Sequence, residues 1–160
     1  SCPDQTPERG KVLRVSLATG AVGIVAEGLR TPNGVARSPA GELFVTDNQG
    51  DWLPASKLIR IEPGAHYGWR APEGPPGTAG PDAAIAATPR REAPPQVTPP
   101  TLWLPHNEVA NSPTQPVVLQ HGPYAGQILF GDVFQGGLKR AVLERVEGRW
   151  QGAAFPFSGG

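Results

Sequence analysis

The loop Thr46-Asp47-Asn48-Gln49-Gly50-Asp51-Trp52 gathers two carboxylates, two carboxamides and a hydroxyl around one glycine. Hard cations such as calcium take about six to eight oxygens from carboxylates, amides and backbone carbonyls, so Asp47, Asn48 and Asp51 are candidate metal ligands. The spacing does not match the EF-hand pattern D-x-[DN]-x-[DN]-G, and Asp or Asn in a turn also satisfies local backbone donors, so the loop has a purely structural reading as well. Upstream stands Arg30, followed by Thr31-Pro32-Asn33-Gly34. A guanidinium can grip a carboxylate with two parallel hydrogen bonds, proline stiffens the approach, and Asn-Gly turns the backbone tightly. The same residues could simply fix the entry to a strand. His66, His106 and His121 are the three imidazoles. Of these His106, in Leu-Pro-His-Asn-Glu, is the most suggestive of a general base, with Asn107 and Glu108 beside it, although a surface-loop histidine is the favoured reading.

Other chemistries are disfavoured. The 14 basic and 14 acidic side chains cancel, and neither sign runs for more than two or three residues, so no footprint for nucleic acid or anionic lipid is present. Cys2 is the single cysteine, which excludes an internal disulfide and a two-cysteine zinc or haem motif. No stretch approaches the roughly 18 apolar residues of a membrane helix. The first ten residues, SCPDQTPERG, carry neither a start methionine nor an apolar signal core, and the expectation is a segment of a longer protein.

The elements that must position these groups read as strands. With 21 glycines and 20 prolines among 160 residues, sustained helical periodicity is absent, while 38% hydrophobic residues and four tryptophans provide for a core. KVLRVSL at 11–17 and AVGIVAE at 21–27 flank a Thr19-Gly20 turn as a hairpin. GVARS at 34–38, ELFVTD at 42–47 and KLIRIE at 57–62 form a meander. PVVL at 116–119, QILFGD at 127–132, LKRAVLERV at 138–146 and WQGAAFPF at 150–157 form a third block, with Glu147-Gly148 as a turn.

These blocks resemble one another. KVLRVSL matches KLIRIEP 46 positions later, and LFVTDNQGD matches ILFGDVFQG 85 positions later. The shorter period is that of a propeller blade, about 40–50 residues, and the longer one fits a blade plus an insertion. The insertion is 71–100, where nine prolines and seven alanines leave only Ile85 and Val97 as large aliphatic residues. The expected fold is all-β, a partial β-propeller of about three blades. Residues 1–29 end one blade, 30–70 make the second, 71–100 form a Pro/Ala-rich inter-blade loop, and 101–160 make the third. A closed ring takes about four to eight blades, which again implies a fragment. A small β-sandwich is the competing architecture.

The stretch GLRTPNGVARSPAGELFVTDNQGDWLPASKLIRIEPGAHYGWR, 28–70, resembles the glucose/sorbosone dehydrogenase family, whose pattern runs RNPQGLAFxPxGxLxxSExGP and then GxNYGWP. Arg30, Pro32, Gly34, Pro39, Gly41, Leu43 and Asp47, then Gly64, Tyr67, Gly68 and Trp69, fall on it. TLWLPHNEVANSPTQPVVLQHGPYAGQILFGDVFQGGLKR, 101–140, is similar to the following blade. The resemblance implies a six-bladed ring that oxidises a sugar or alcohol by hydride transfer to pyrroloquinoline quinone (PQQ) bridged to calcium, in a periplasmic or secreted setting. It implies cofactor contacts at Arg30, Thr31 and Asn33, the last two standing where the family has Asn and Gln, and calcium near 47–51. The family's catalytic histidine lies on an earlier blade, so none of the three histidines here inherits that role. Val133-Phe134-Gln135 stand where the family places a cofactor-binding lysine or arginine. Lys139 and Arg140 reach that place only with an insertion. Trp52, Trp69, Trp103 and Trp150 could stack on a sugar or pack in the core. A non-catalytic propeller, serving as a binding module beside a fused cytochrome or carbohydrate-binding domain, is the alternative, and a metal-dependent lactonase-like hydrolase is a third reading.

Overall fold

In a computed structural model the described residues are 7–48, 53–70 and 96–158. They form ten strands and three antiparallel sheets, with no helix assigned among them. The first sheet pairs β1 (Lys11–Val15) with β2 (Val22–Glu27) through the expected hairpin, where Gly20 takes φ +71° and its N–H donates to the Ser16 carbonyl. The central sheet runs β3 (Pro32–Arg37), β4 (Leu43–Asp47), β5 (Ala55–Arg60) and β6 (Leu102–Pro105) in sequence order. The third sheet is likewise a four-stranded meander of β7 (Val117–Val118), β8 (Ile128–Gly131), β9 (Leu138–Val146) and β10 (Arg149–Ser158). Glu147 and Gly148 both take positive φ, the backbone of the type I′ turn that joins β9 to β10.

One boundary differs from the sequence expectation. β6 lies in the 101–160 block yet pairs with β5, Ala55 opposite Pro105 and Leu58 opposite Leu102, so it completes the central sheet instead of opening the third. A strand separated from its partner by some forty residues carries no local signal of where it will pair. The expected inter-blade loop 71–100 lies mostly outside the described residues. β3 begins at Pro32, two residues before the alternating run suggests; it is an edge strand, where a residue without an N–H costs no ladder bond.

The sheets stack in three layers, and the burial pattern explains the sequence. Phe44, Leu58 and Leu104 of the central sheet pack with Val118, Ile128, Phe130 and Ala141 of the third. On the opposite face, Val45, Ile59 and Ile61 pack with Ala26 and Leu29, with Val12 and Val25 of the first sheet against them. Phe44-Val45 and Leu58-Ile59 are therefore continuous apolar pairs because a strand covered on both faces needs no polar alternate. β1 and β10, covered on one face, alternate or carry exposed residues.

Between the central and third sheets, the edge strands β3 and β7 lie side by side, and β6 lies against β10 at the other edge. The inner junction is tied by polar bonds: Asn33 Nδ2 donates to the Pro113 carbonyl at 2.7 Å and Thr46 Oγ1 donates to the Thr114 carbonyl at 2.7 Å. Face-packed four-stranded meanders that meet along their first strands are consistent with part of a β-propeller.

Candidate functional site

Antiparallel pairing brings the N-terminal end of β3, the C-terminal end of β4, the N-terminal end of β5 and the C-terminal end of β6 to one end of the central sheet. Arg30, Thr31, Asn33, Asp47, Asn48 and His106 all belong to this end. The topology thus collects residues that the sequence scatters over 77 positions.

Asp47 closes β4 with its carboxylate fully buried. Its oxygens accept the Arg30 backbone N–H at 3.1 Å each, and Oδ1 also accepts the Thr31 N–H at 2.8 Å. Oδ2 receives the Lys57 ammonium at 3.3 Å, and the same ammonium donates to the Tyr67 carbonyl at 3.0 Å. Burial pushes the Asp47 carboxyl above its ordinary range, against the pull of the Lys57 charge and the two backbone N–H groups. Lys57 itself is 1% exposed. A buried lysine among Ser56, Leu58 and Ile59 is tolerable only because its charge is paired and two of its protons have acceptors.

The third sheet repeats the arrangement. Asp132, just beyond β8, accepts the Asn111 N–H on Oδ2 at 2.8 Å, and the Ser112 and Phe134 N–H groups on Oδ1 at 3.1 and 2.9 Å. Each aspartate thus holds the two residues before a proline, Arg30-Thr31 before Pro32 and Asn111-Ser112 before Pro113. The next residue of each loop donates backward in the same way, Asn48 N–H to the Thr31 carbonyl and Val133 N–H to the Ser112 carbonyl. Burial raises the Asp132 carboxyl, but its backbone N–H donors outweigh this and hold it below the usual carboxylate value. The two sites differ in the facing residue. Opposite Asp47 on β5 stands Lys57, whereas Asp132 faces Gly137, to whose carbonyl its own N–H donates.

The candidate residues therefore divide. Arg30 is half-buried and Thr31 exposed, and the backbones of both are held by Asp47. The Asn33 carboxamide is taken up by the junction with Pro113. Asp47 serves as a backbone acceptor and partner of an ammonium, an environment in which a cation would have to displace Lys57. Asn48 Oδ1 is buried without a hydrogen-bond partner, the kind of oxygen a hard cation could use. Asp51 and Trp52 lie outside the described residues. Among the described residues no group of three or more His, Cys, Asp or Glu could hold a metal ion.

Of the histidines, His66 accepts the Gly68 N–H on Nδ1 at 3.1 Å, and His121 is exposed. His106 has its backbone N–H on the Pro54 carbonyl, and its Nε2 is buried without a partner. Trp69 is buried, with the Arg9 guanidinium 5.5 Å from its ring centroid, so it packs instead of offering a stacking platform. Val133 and Phe134 are 75% and 76% exposed, which leaves an apolar pair where the family pattern has a cation. Arg140 lies on the rings of Tyr124 and Phe155, at 4.8 and 5.8 Å to their centroids, and does not substitute for it.

Lys57 was not singled out in the sequence, since the run KLIRIE also carries Arg60 and Glu62 and no spacing marks Lys57 as the buried charge. The duplicated clamp was only partly legible. Its trace is only partial, because Thr31 stands 16 residues before Asp47 and Ser112 stands 20 before Asp132, so the 85-residue offset that matches the aspartates does not align the dipeptides Thr31-Pro32 and Ser112-Pro113.

The same stacking of sheets occurs in solved sugar dehydrogenases. One from Thermus thermophilus, described as an oxidoreductase (glucose dehydrogenase), matches with a TM-score of 0.58 at 23% identity, over 86% of this chain and 35% of its own. The PQQ-bound aldose sugar dehydrogenase of Streptomyces coelicolor matches with a TM-score of 0.57 at 19% identity, over 90% of this chain and 39% of its own. The soluble aldose sugar dehydrogenase of Escherichia coli in its apo-form gives 0.55 at 15% identity, over 89% and 43%. The chain has their fold. It spans well under half the length of each of these proteins. No family model and no curated relative matches the sequence. Among the described residues no helix is long and apolar enough to cross a membrane.

Proposed function

We propose that this chain is part of a β-propeller oxidoreductase of the glucose/sorbosone dehydrogenase type, acting on a sugar or related alcohol with PQQ. The observation that carries the reading is the edge Arg30-Thr31, in which Arg30 falls on the family pattern and Thr31 stands in place of its Asn, held by Asp47 at the junction of β3 and β7. PQQ, when bound, supplies the hydride acceptor. It carries three carboxylates, and the residues here fit it in part. Arg30 can hold a carboxylate bidentately and Thr31 can donate one further hydrogen bond. Asn33 serves the sheet junction, and Phe134 offers no cation.

Calcium fits less well than the sequence alone implies. Asp47 has its oxygens filled by two backbone N–H groups and an ammonium, which leaves Asn48 Oδ1 as the oxygen of the described candidates open to a cation; Asp51 lies outside the described residues. The six-bladed ring, a general base on another blade, and a periplasmic or secreted location belong to the same reading. So does any fused cytochrome.

PQQ titration of the intact protein, with and without calcium, tests it through the cofactor absorbance and dye reduction with aldoses. Binding at micromolar cofactor is expected. Arg30→Ala should weaken it by the roughly 1.5–3 kcal/mol of a charge-assisted hydrogen bond, about ten- to a hundredfold in Kd. No binding by the unaltered protein would overturn the reading. The exposed Val133-Phe134 pair at this end favours one other, a non-catalytic propeller that binds a ligand through an apolar lip. Carbohydrate or protein binding without PQQ affinity would select it.

A further inference from the structure

The connector between the first and central sheets, residues 28–31, is pinned at five of its eight backbone polar groups, the Thr31 carbonyl among them. The Trp69 N–H donates to the Gly28 carbonyl, the Leu29 N–H donates to the Gly10 carbonyl, and Arg30 and Thr31 donate to Asp47. Just before it, Glu27 exchanges bonds with Ala65 and Tyr67. Two strips therefore fix the connector, Asp47 on one side and 65–69 on the other. One side chain touches both: the Lys57 ammonium reaches Asp47 Oδ2 and the Tyr67 carbonyl.

The third sheet shows that a clamp of this kind does not need a lysine to form. Asp132 holds Asn111 and Ser112 with Gly137 opposite and, among the described residues, no ammonium in contact. Burying an ammonium costs several kcal/mol before its partners are counted, and well-packed apolar residues are often as stable as a buried ion pair. The lysine is found at the clamp whose held residues are Arg30 and Thr31, and is missing where they are Asn111 and Ser112.

We propose that Lys57 is a positioning residue for anion binding, which by joining Asp47 to the Tyr67 carbonyl locks the Arg30-Thr31 edge in the geometry that receives a cofactor carboxylate. This rests on the PQQ reading above. Its physical content is separate: the ammonium ties Asp47 Oδ2 to the Tyr67 carbonyl, so the carboxyl group that receives the two N–H groups is held in register with 65–69. Removing the charge leaves a buried carboxylate without its counter-ion, which weakens both holds on Arg30.

The test is Lys57→Met in the intact protein, which keeps an unbranched side chain one heavy atom shorter and removes the charge. It has two readouts. Amide hydrogen exchange compares Arg30 and Thr31 with Asn111 and Ser112 in the same molecule, and a PQQ titration gives Kd. The expected result is exchange at Arg30 and Thr31 faster by roughly tenfold or more, with Asn111 and Ser112 unchanged, together with a PQQ Kd raised about tenfold, as for loss of a local restraint. Unchanged amides, equal acceleration at both clamps, or faster amides with an unaltered Kd would each overturn the proposal. If Lys57→Met fails to fold, Asp47→Asn, which removes the other half of the pair, is judged by the same two readouts. Absence of PQQ binding in the unaltered protein sinks the functional reading and with it the cofactor role of Lys57. The amide comparison still decides whether Lys57 holds the edge.

Discussion

Gly28 offers the sharpest test of how the connector is built. It takes φ +81°, and a Cβ there would stand 2.7 Å from the Tyr67 backbone N and 2.8 Å from the Gly68 backbone N. Gly20, in the β1–β2 turn, takes φ +71° with nothing within 4 Å of a Cβ. Alanine at either position costs about 1–2 kcal/mol for the left-handed backbone, partly offset by about 0.4–1 kcal/mol from a less free unfolded chain. Gly20→Ala should therefore cost about 1 kcal/mol or less. Gly28→Ala adds a clash that no rotamer can relieve, because both facing atoms are backbone. The Tyr67 N–H is bonded to the Glu27 carbonyl and cannot withdraw without breaking that bond. Overpacking adds about 1–3 kcal/mol, for a total of about 1–4 kcal/mol. Urea unfolding of the two variants at equal m-value measures the difference. Equal destabilisation would show that 27–28 does not pack on 65–69 as described.

Two further outcomes follow from the same geometry. Tyr67, 1% exposed, donates its hydroxyl to the Arg60 carbonyl and accepts the Glu62 N–H, both at 2.9 Å, and burial pushes its pKa up to about 12. Tyr67→Phe should cost about 1–3 kcal/mol in urea unfolding, because it leaves two backbone groups without a partner, and a change near zero would mean those groups reach water. Asp132 titrates below its ordinary value of 3.8 when folded, so its stabilising contribution is present above that value and is lost as pH falls through the lower folded one. Asp132→Asn, with one acceptor oxygen where the carboxylate uses two, should be less stable near neutral pH and show a flatter loss below about pH 4. Parallel stability curves for the two proteins would rule out this linkage.

The local chemistry of the chain was legible without coordinates. Alternating β-branched runs, glycine at the turns and the 85-residue offset establish strands, hairpins and the match of β4 with β8, because these depend on residues close in sequence or on internal comparison. Family resemblance pointed to Arg30 and Thr31 for the same reason, as a contiguous motif. The pairing of β6 with β5 was not legible, since about forty intervening residues carry no information on which edge a returning strand joins. The fate of the polar groups was also decided by folding. Asp47 and Asn33 have the side chains of ligands, but desolvation obliges each to take the nearest unsatisfied partner. Only the packed sheets determine that those partners are the Arg30 and Thr31 amides, the Lys57 ammonium and the Pro113 carbonyl.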